Sequence, residues 1–192
     1  VVTVSAERET APLGRPQAGA AAIAVAVLVG AAVAVLLGVY GKTHEPSAFS
    51  VNVAGFSGPQ AVKAWLATVA FVLALGQFVS ALAMYGKLPV RTPSWIATAH
   101  VWSGRLAVLV SVPVAVHCLY ALGFQDYDAR VLWHSLLGCC FYGAFVAKML
   151  LLTRKGLPGW VIPAAGGLVL SGLTGLWLTS SLWFFQHNGL TF

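Results

Sequence analysis

The chain has 192 residues, of which 59 % are hydrophobic and only 8 % charged, and its mean hydropathy is +0.85. An ordinary soluble domain carries roughly a quarter charged residues, so lipid must be the solvent for most of this surface. A transmembrane helix takes about 20 residues, so five spans with short connections nearly use up the length. That excludes a cytosolic enzyme, a nucleic-acid binder and a disulfide-stapled secreted module. The net charge of +6 is then information about topology rather than a basic patch for an acidic partner.

The expected architecture is all-α, an integral membrane bundle of five transmembrane helices behind a cytoplasmic tail over residues 1-17. The first span is expected from Ala18 to Tyr40, Ala- and Val-rich and uncharged, with an apolar run too long for a signal-peptide core. The second runs from Trp65 to Tyr85 and the third from Trp95 to Leu122, with Pro113 expected to kink it. The fourth runs from Val131 to Leu152 and the fifth from Trp160 to Phe185. Trp and Tyr mark many of these boundaries, as an aromatic belt requires.

Lys and Arg set the direction. The tail and the second and fourth loops carry Arg8, Arg15, Lys87, Arg91, Arg154 and Lys155, with Lys148 near the same end of its helix; the opposite side carries Lys42, Lys63 and Arg130. This asymmetry predicts a cytoplasmic N-terminus and an external C-terminus. The longest connection, Gly41 to Ala64, then lies outside, with Phe49 to Phe56 along the interface.

The carboxylates are absent from the spans: Glu7, Glu9, Glu45, Asp126 and Asp128 all fall in the tail or the external loops. An ion-coupled transporter normally keeps one in the membrane, so that class is disfavoured. Neither a Ser-His-Asp nor an HExxH arrangement points to a protease. The spans do contain histidine: His100 and His117 on the third and His134 on the fourth, with His44 in the external loop and His187 expected just past the fifth. A lipid-facing imidazole is costly, so all three should face inward, either as helix-to-helix hydrogen bonds or as ligands.

His117 and His134 fall at similar depth near the external ends of antiparallel helices, which suits the axial ligation of a low-spin haem b. His134 to Gly138 and His100 to Gly104 both read His-x-x-x-Gly. Each Gly lies one turn beyond its His on the same face, where it either clears a flat macrocycle or allows close helix packing.

At the cytoplasmic end, His100 is a candidate for hydrogen-bonding a quinone headgroup, such as menaquinone, or a haem edge. Arg105 lies further in on that helix and is otherwise a snorkelling side chain. Met84 and Met149 offer a His/Met alternative for a second haem at that depth. His100 and His117 lie seventeen residues apart, about 25 Å along a helix and about 100° around it, which speaks against two haems stacked on one face. Cys118, Cys139 and Cys140 have no CxxC spacing and read as small apolar contacts.

The stretches His100 to Arg105, His117 to Phe124 and Arg130 to Gly138, with Met84-Tyr-Gly-Lys-Leu-Pro89 and Gly156-Leu-Pro-Gly-Trp160, resemble an uncharacterised actinobacterial family of small membrane proteins, a domain of unknown function. The resemblance covers Lys63 to Phe185 and implies a multi-pass protein of the bacterial plasma membrane. More loosely, the His-x-x-x-Gly helices resemble those of cytochrome b561 and ferric-reductase-like proteins, which supply four core histidines where this chain supplies three.

The expected function is therefore a membrane cytochrome b with one haem on His117 and His134. It would pass electrons between the quinone pool and an external partner such as a c-type cytochrome or Rieske protein. The competing expectation is a cofactor-free accessory subunit of a larger respiratory or transport complex. It would dock through the Ala-rich first helix and the small residues Gly166 to Gly175.

Overall fold

The computed structural model describes residues 16–50 and 52–192. Arg8, Arg15, Glu7 and Glu9 of the expected tail lie outside the described residues. Among the described residues the chain is all helical. Helix α1 spans Pro16–Thr43, α2 Pro59–Met84, α3 Ile96–Val116, α4 Ala129–Leu152 and α5 Val161–Trp177. Helix α3 continues as a π-helical turn, His117–Leu122; α5 continues through a second, Leu178–Leu182, into α6, Trp183–Asn188. Five of these helical stretches are long and apolar enough to cross a membrane, which fits a multi-pass membrane protein.

A helix covers each expected span, with ends that differ by up to six residues. Helix α2 starts at Pro59 rather than near Trp65, with Gly58 before it and the proline in its first turn, where a missing N–H costs nothing. The fifth span continues to Asn188 and takes His187 into the helix. There His187 Nδ1 donates to the Trp183 carbonyl at 2.7 Å and Asn188 Nδ2 to that of Phe184 at 2.9 Å. Asp128 caps α4, its carboxylate accepting from Val131 N at 2.8 Å.

Lipid removes the hydrophobic drive between helices, so packing rests on small residues that let backbones approach. The buried side chains are accordingly dominated by Ala26, Ala61, Ala64, Ala70, Ala83 and Ala121. Helix α1 packs on α4, α4 on α5, α5 on α2, and α2 on α3. The tightest seam is α1 on α4. A Cβ on Gly30 would sit 2.5 Å from the Gly143 carbonyl oxygen and 2.9 Å from Ala147 Cβ, and one on Gly143 would meet Gly30 O and Ala34 Cβ. The Gly30, Ala34 and Gly38 stripe thus faces α4 inside the chain's own bundle. Although α3 and α4 are joined by a short loop, they do not pack closely; Tyr142 Oη, donating to Ser111 Oγ at 3.1 Å, ties them at mid-height.

The α1–α2 connection folds over the end of α3. Ser47 N and Ala48 N donate to the Tyr120 and Ala121 carbonyls at 3.3 and 3.1 Å, and Phe124 N to that of Gly41 at 2.7 Å. These are backbone acceptors at a helix end, where the helix itself supplies no donor. This face, which also carries the C-terminus, is called the C-terminal face below; the opposite one is the N-terminal face.

Candidate functional site

Two polar clusters occupy the bundle, one toward each face. The first surrounds His134. Its Nδ1 lies 3.0 Å from Thr179 Oγ1. That hydroxyl donates its own proton to the Gly175 carbonyl at 2.7 Å, so toward the imidazole it acts as acceptor. Nδ1 therefore carries the ring proton and Nε2 keeps a free lone pair, the tautomer a metal ligand needs. Thr179 belongs to the π turn of the fifth span, and Arg130 holds that turn: Nη1 donates to the Thr179 carbonyl at 2.8 Å while the guanidinium lies 4.1 Å from the Trp183 ring centre. Deeper in, Trp177 Nε1 donates to Thr68 Oγ1 at 3.0 Å and stacks on Phe71, joining α5 to α2.

His117 opens the other π turn. No protein group hydrogen-bonds either of its ring nitrogens among the described residues. It faces a cavity of about 440 Å³ beneath the α1–α2 connection, lined also by Phe49, Ser50, Gln60, Leu122 and Gln125. The Tyr142–Ser111 bond fixes the antiparallel register: His117 is six residues from it on α3 and His134 eight on α4. At a rise of about 1.5 Å per residue they differ in depth by about 3 Å. Lys63, in the first turns of α2, is within electrostatic range of both imidazoles.

The second cluster surrounds His100. Ser80 Oγ donates to the Gly76 carbonyl at 2.7 Å and accepts from His100 Nδ1 at 2.8 Å, so this imidazole too presents a bare Nε2. Gln77 Nε2 donates to the His100 carbonyl and, at 2.8 Å, to Ser103 Oγ. Lys148 of α4 lies within electrostatic range of His100. The bundle therefore does not leave His100 alone at its depth, but its polar neighbours are a hydroxyl, an amide and an ammonium. Met84 and Met149 are both exposed, 39 % and 46 %, and neither joins this cluster.

The remaining expected site residues fall as follows. A Cβ on Gly104 would lie 3.0 Å from Gln77 Oε1, so its space is taken by the amide that binds the helix; one on Gly138 would face Leu176 Cδ2 of α5 at 3.8 Å. Arg105 is exposed, its guanidinium 5.1 Å from the Trp102 ring centre; Trp102 is itself 55 % exposed, so the pair sits on the outer side of α3. Cys118, Cys139 and Cys140 are free thiols, and Gly38 faces Cys139 Sγ across the α1–α4 seam. No group of three or more His, Cys, Asp or Glu forms a metal cage among the described residues.

Sequence reasoning missed Thr179, Ser80, Gln77, Lys63 and Tyr142. For Gln77 the signal was there, a polar residue within a long apolar span, whereas Lys63 fell in the expected connection before the second span.

No curated protein and no solved structure matches the chain. Residues 23–192 match the family of unknown function DUF6529. Five lipid-facing helices, a glycine-welded seam and two polar clusters are thus the physical features of one member, for the chain belongs to that family.

Proposed function

We propose that this protein is a membrane cytochrome b, holding one haem b between His117 of α3 and His134 of α4 near the C-terminal face. The single observation that carries the reading is the Thr179 contact at His134, which leaves Nε2 free inside the bundle and fixes the ring from its other side, as axial imidazoles require. Two features support it: the common depth of the two histidines, and the lack of a protein partner on His117 among the described residues. The donor set fits, since two neutral imidazoles suit low-spin haem iron.

When bound, the haem supplies one-electron chemistry. The chain's own part is to hold the imidazoles, keep water away and tune the potential through burial. His100, with its bare Nε2 and Lys148 nearby, is the proposed contact for a quinone such as menaquinone at the N-terminal face. The C-terminal face would meet an external redox partner, a c-type cytochrome or Rieske protein. Its external placement rests on the Lys/Arg asymmetry, and its placement in a bacterial plasma membrane on the family resemblance alone.

A second reading, an accessory subunit of a larger complex, draws on Gly166 and Gly167 of α5, where an added Cβ would meet nothing within 4 Å. The two readings separate on a redox difference spectrum of detergent-purified protein expressed with ample haem. A Soret band that shifts on reduction supports the cytochrome; protein free of haem favours the accessory subunit.

A further inference from the structure

The seam between α1 and α4 widens toward the C-terminal face. A Cβ added at Gly30 would strike the Gly143 backbone, whereas at Gly38, two turns on, it would meet only the Cys139 thiol at 3.8 Å. The two helices are in backbone contact at mid-height and a side chain apart nearer the face. The widening leaves a groove of about 410 Å³, walled by Val35, Gly38 and Val39 of α1 and by Leu136 and Cys140 of α4, with Lys42 at its upper end. Val35, Val39 and Leu136 are 63, 53 and 39 % exposed, so the groove opens outward, where the solvent is lipid. Lys42 stands one residue before the end of α1. The groove therefore descends about 12 Å from the headgroup level to Ala34 at its lower end.

Below Lys42 the walls offer carbon and thiol. At the mouth stand two opposite charges, Lys42 Nζ 2.8 Å from Asp126 Oδ2, with side chains 56 and 51 % exposed. An ion pair so exposed contributes little stability, and a ligand that gives each charge a new partner opens it at little cost.

We infer that this groove holds one zwitterionic phospholipid with a primary-ammonium headgroup, of the phosphatidylethanolamine class. An acyl chain lies along the groove, the phosphate accepts from the Lys42 ammonium, and the lipid ammonium donates to the Asp126 carboxylate. The headgroup carries the same two charges as the pair it opens, so every charge keeps an opposite partner. A choline headgroup has no N–H to give Asp126, and a glycerol headgroup sets a net negative charge beside it. The site stands apart from the haem reading and shares none of its residues.

The test uses full-length protein, delipidated in detergent and titrated with ethanolamine, choline and glycerol phospholipids of identical acyl chains, with bound lipid counted by native mass spectrometry. The ethanolamine lipid should bind about tenfold more tightly than the other two, the size of one charge-assisted hydrogen bond. Asp126→Asn should erase that preference and favour the glycerol lipid, since Lys42 is then unopposed. Lys42→Met should weaken the ethanolamine and glycerol lipids alike. Val39→Trp, which fills the groove from an exposed position, should weaken all three with the melting temperature unchanged. Equal binding of the three headgroups by the unmodified protein would overturn the assignment, and so would an ethanolamine preference that survives Asp126→Asn. If the unmodified protein purifies as an oligomer that Val39→Trp separates, the groove seats a protein helix and the lipid assignment falls.

Discussion

Helix α4 meets two neighbours in opposite ways. Toward α1 its glycine and alanine stripe brings the backbones into contact, with Gly30 against Gly143 and Ala34 against that same glycine. Toward α3 it makes almost no close contact, and what joins the two helices there is polar, the Tyr142 hydroxyl on Ser111. In lipid a helix pair without a small-residue seam has to be joined by polar contacts, here the Tyr142–Ser111 bond. The difference teaches where to look for function. The α1–α4 seam explains why the bundle holds together, and the α3–α4 side is where the haem is proposed to sit.

The largest expected effect breaks the seam. Gly143→Leu would drive a side chain into the Gly30 carbonyl and Ala34, and backbone cannot give way as a flexible side chain can. Overpacking of this kind costs about 1–3 kcal/mol or more, enough to lower the detergent melting temperature visibly. An unchanged melting curve would mean that α1 is not bound to α4 as described. Truncation of the chain after removing α1 should be similarly damaging, since that helix covers α4 and forms a core with Leu151 and Val161 through Ala26.

On the other side of α4, Thr179→Val keeps the shape and removes the acceptor for His134 Nδ1–H. Loss of such an outer-shell partner weakens metal binding by about 10–100-fold, so haem titration should show weaker retention while the melting temperature moves little. If retention is unaffected, His134 is not oriented through Thr179. A smaller effect is expected at the second cluster. Ser80→Ala strands His100 Nδ1, and intramembrane hydrogen bonds average about 0.6 kcal/mol; the stability loss should be of that order, with the haem spectrum unchanged. Smallest of all, Gly166→Ala meets nothing and should leave the isolated protein's melting curve where it was. If the protein co-purifies with a partner that this change removes, the accessory-subunit reading gains the face it needs.

The contrast also marks how far the sequence could be read. The five spans were legible because apolar length is a property of composition alone, summed over about 20 residues. Their ends were less so. The start of α2 is diluted by Gln60 and Lys63, and the end of the fifth span by Gln186, His187 and Asn188, whose helical state depends on side chains that bond back to the preceding turn. The histidines could be named as candidates because an imidazole stands out in lipid. Their partners could not, since Thr179 lies 45 residues from His134 and Ser80 lies 20 from His100, and a lone Ser or Thr in a membrane helix looks like any small residue. The two His-x-x-x-Gly repeats look alike in sequence, yet Gly104 admits Gln77 and Gly138 faces Leu176; spacing along one helix does not say which neighbour fills the gap.

The central claim is that His117 and His134 hold one haem between them, and low-temperature electron paramagnetic resonance of the oxidised protein tests it most directly. The account predicts a low-spin ferric signal from the unmodified protein, and its conversion to high spin or its loss in both His117→Ala and His134→Ala, with His100→Ala unchanged. A full low-spin signal in the His117→Ala, His134→Ala double variant would contradict the account.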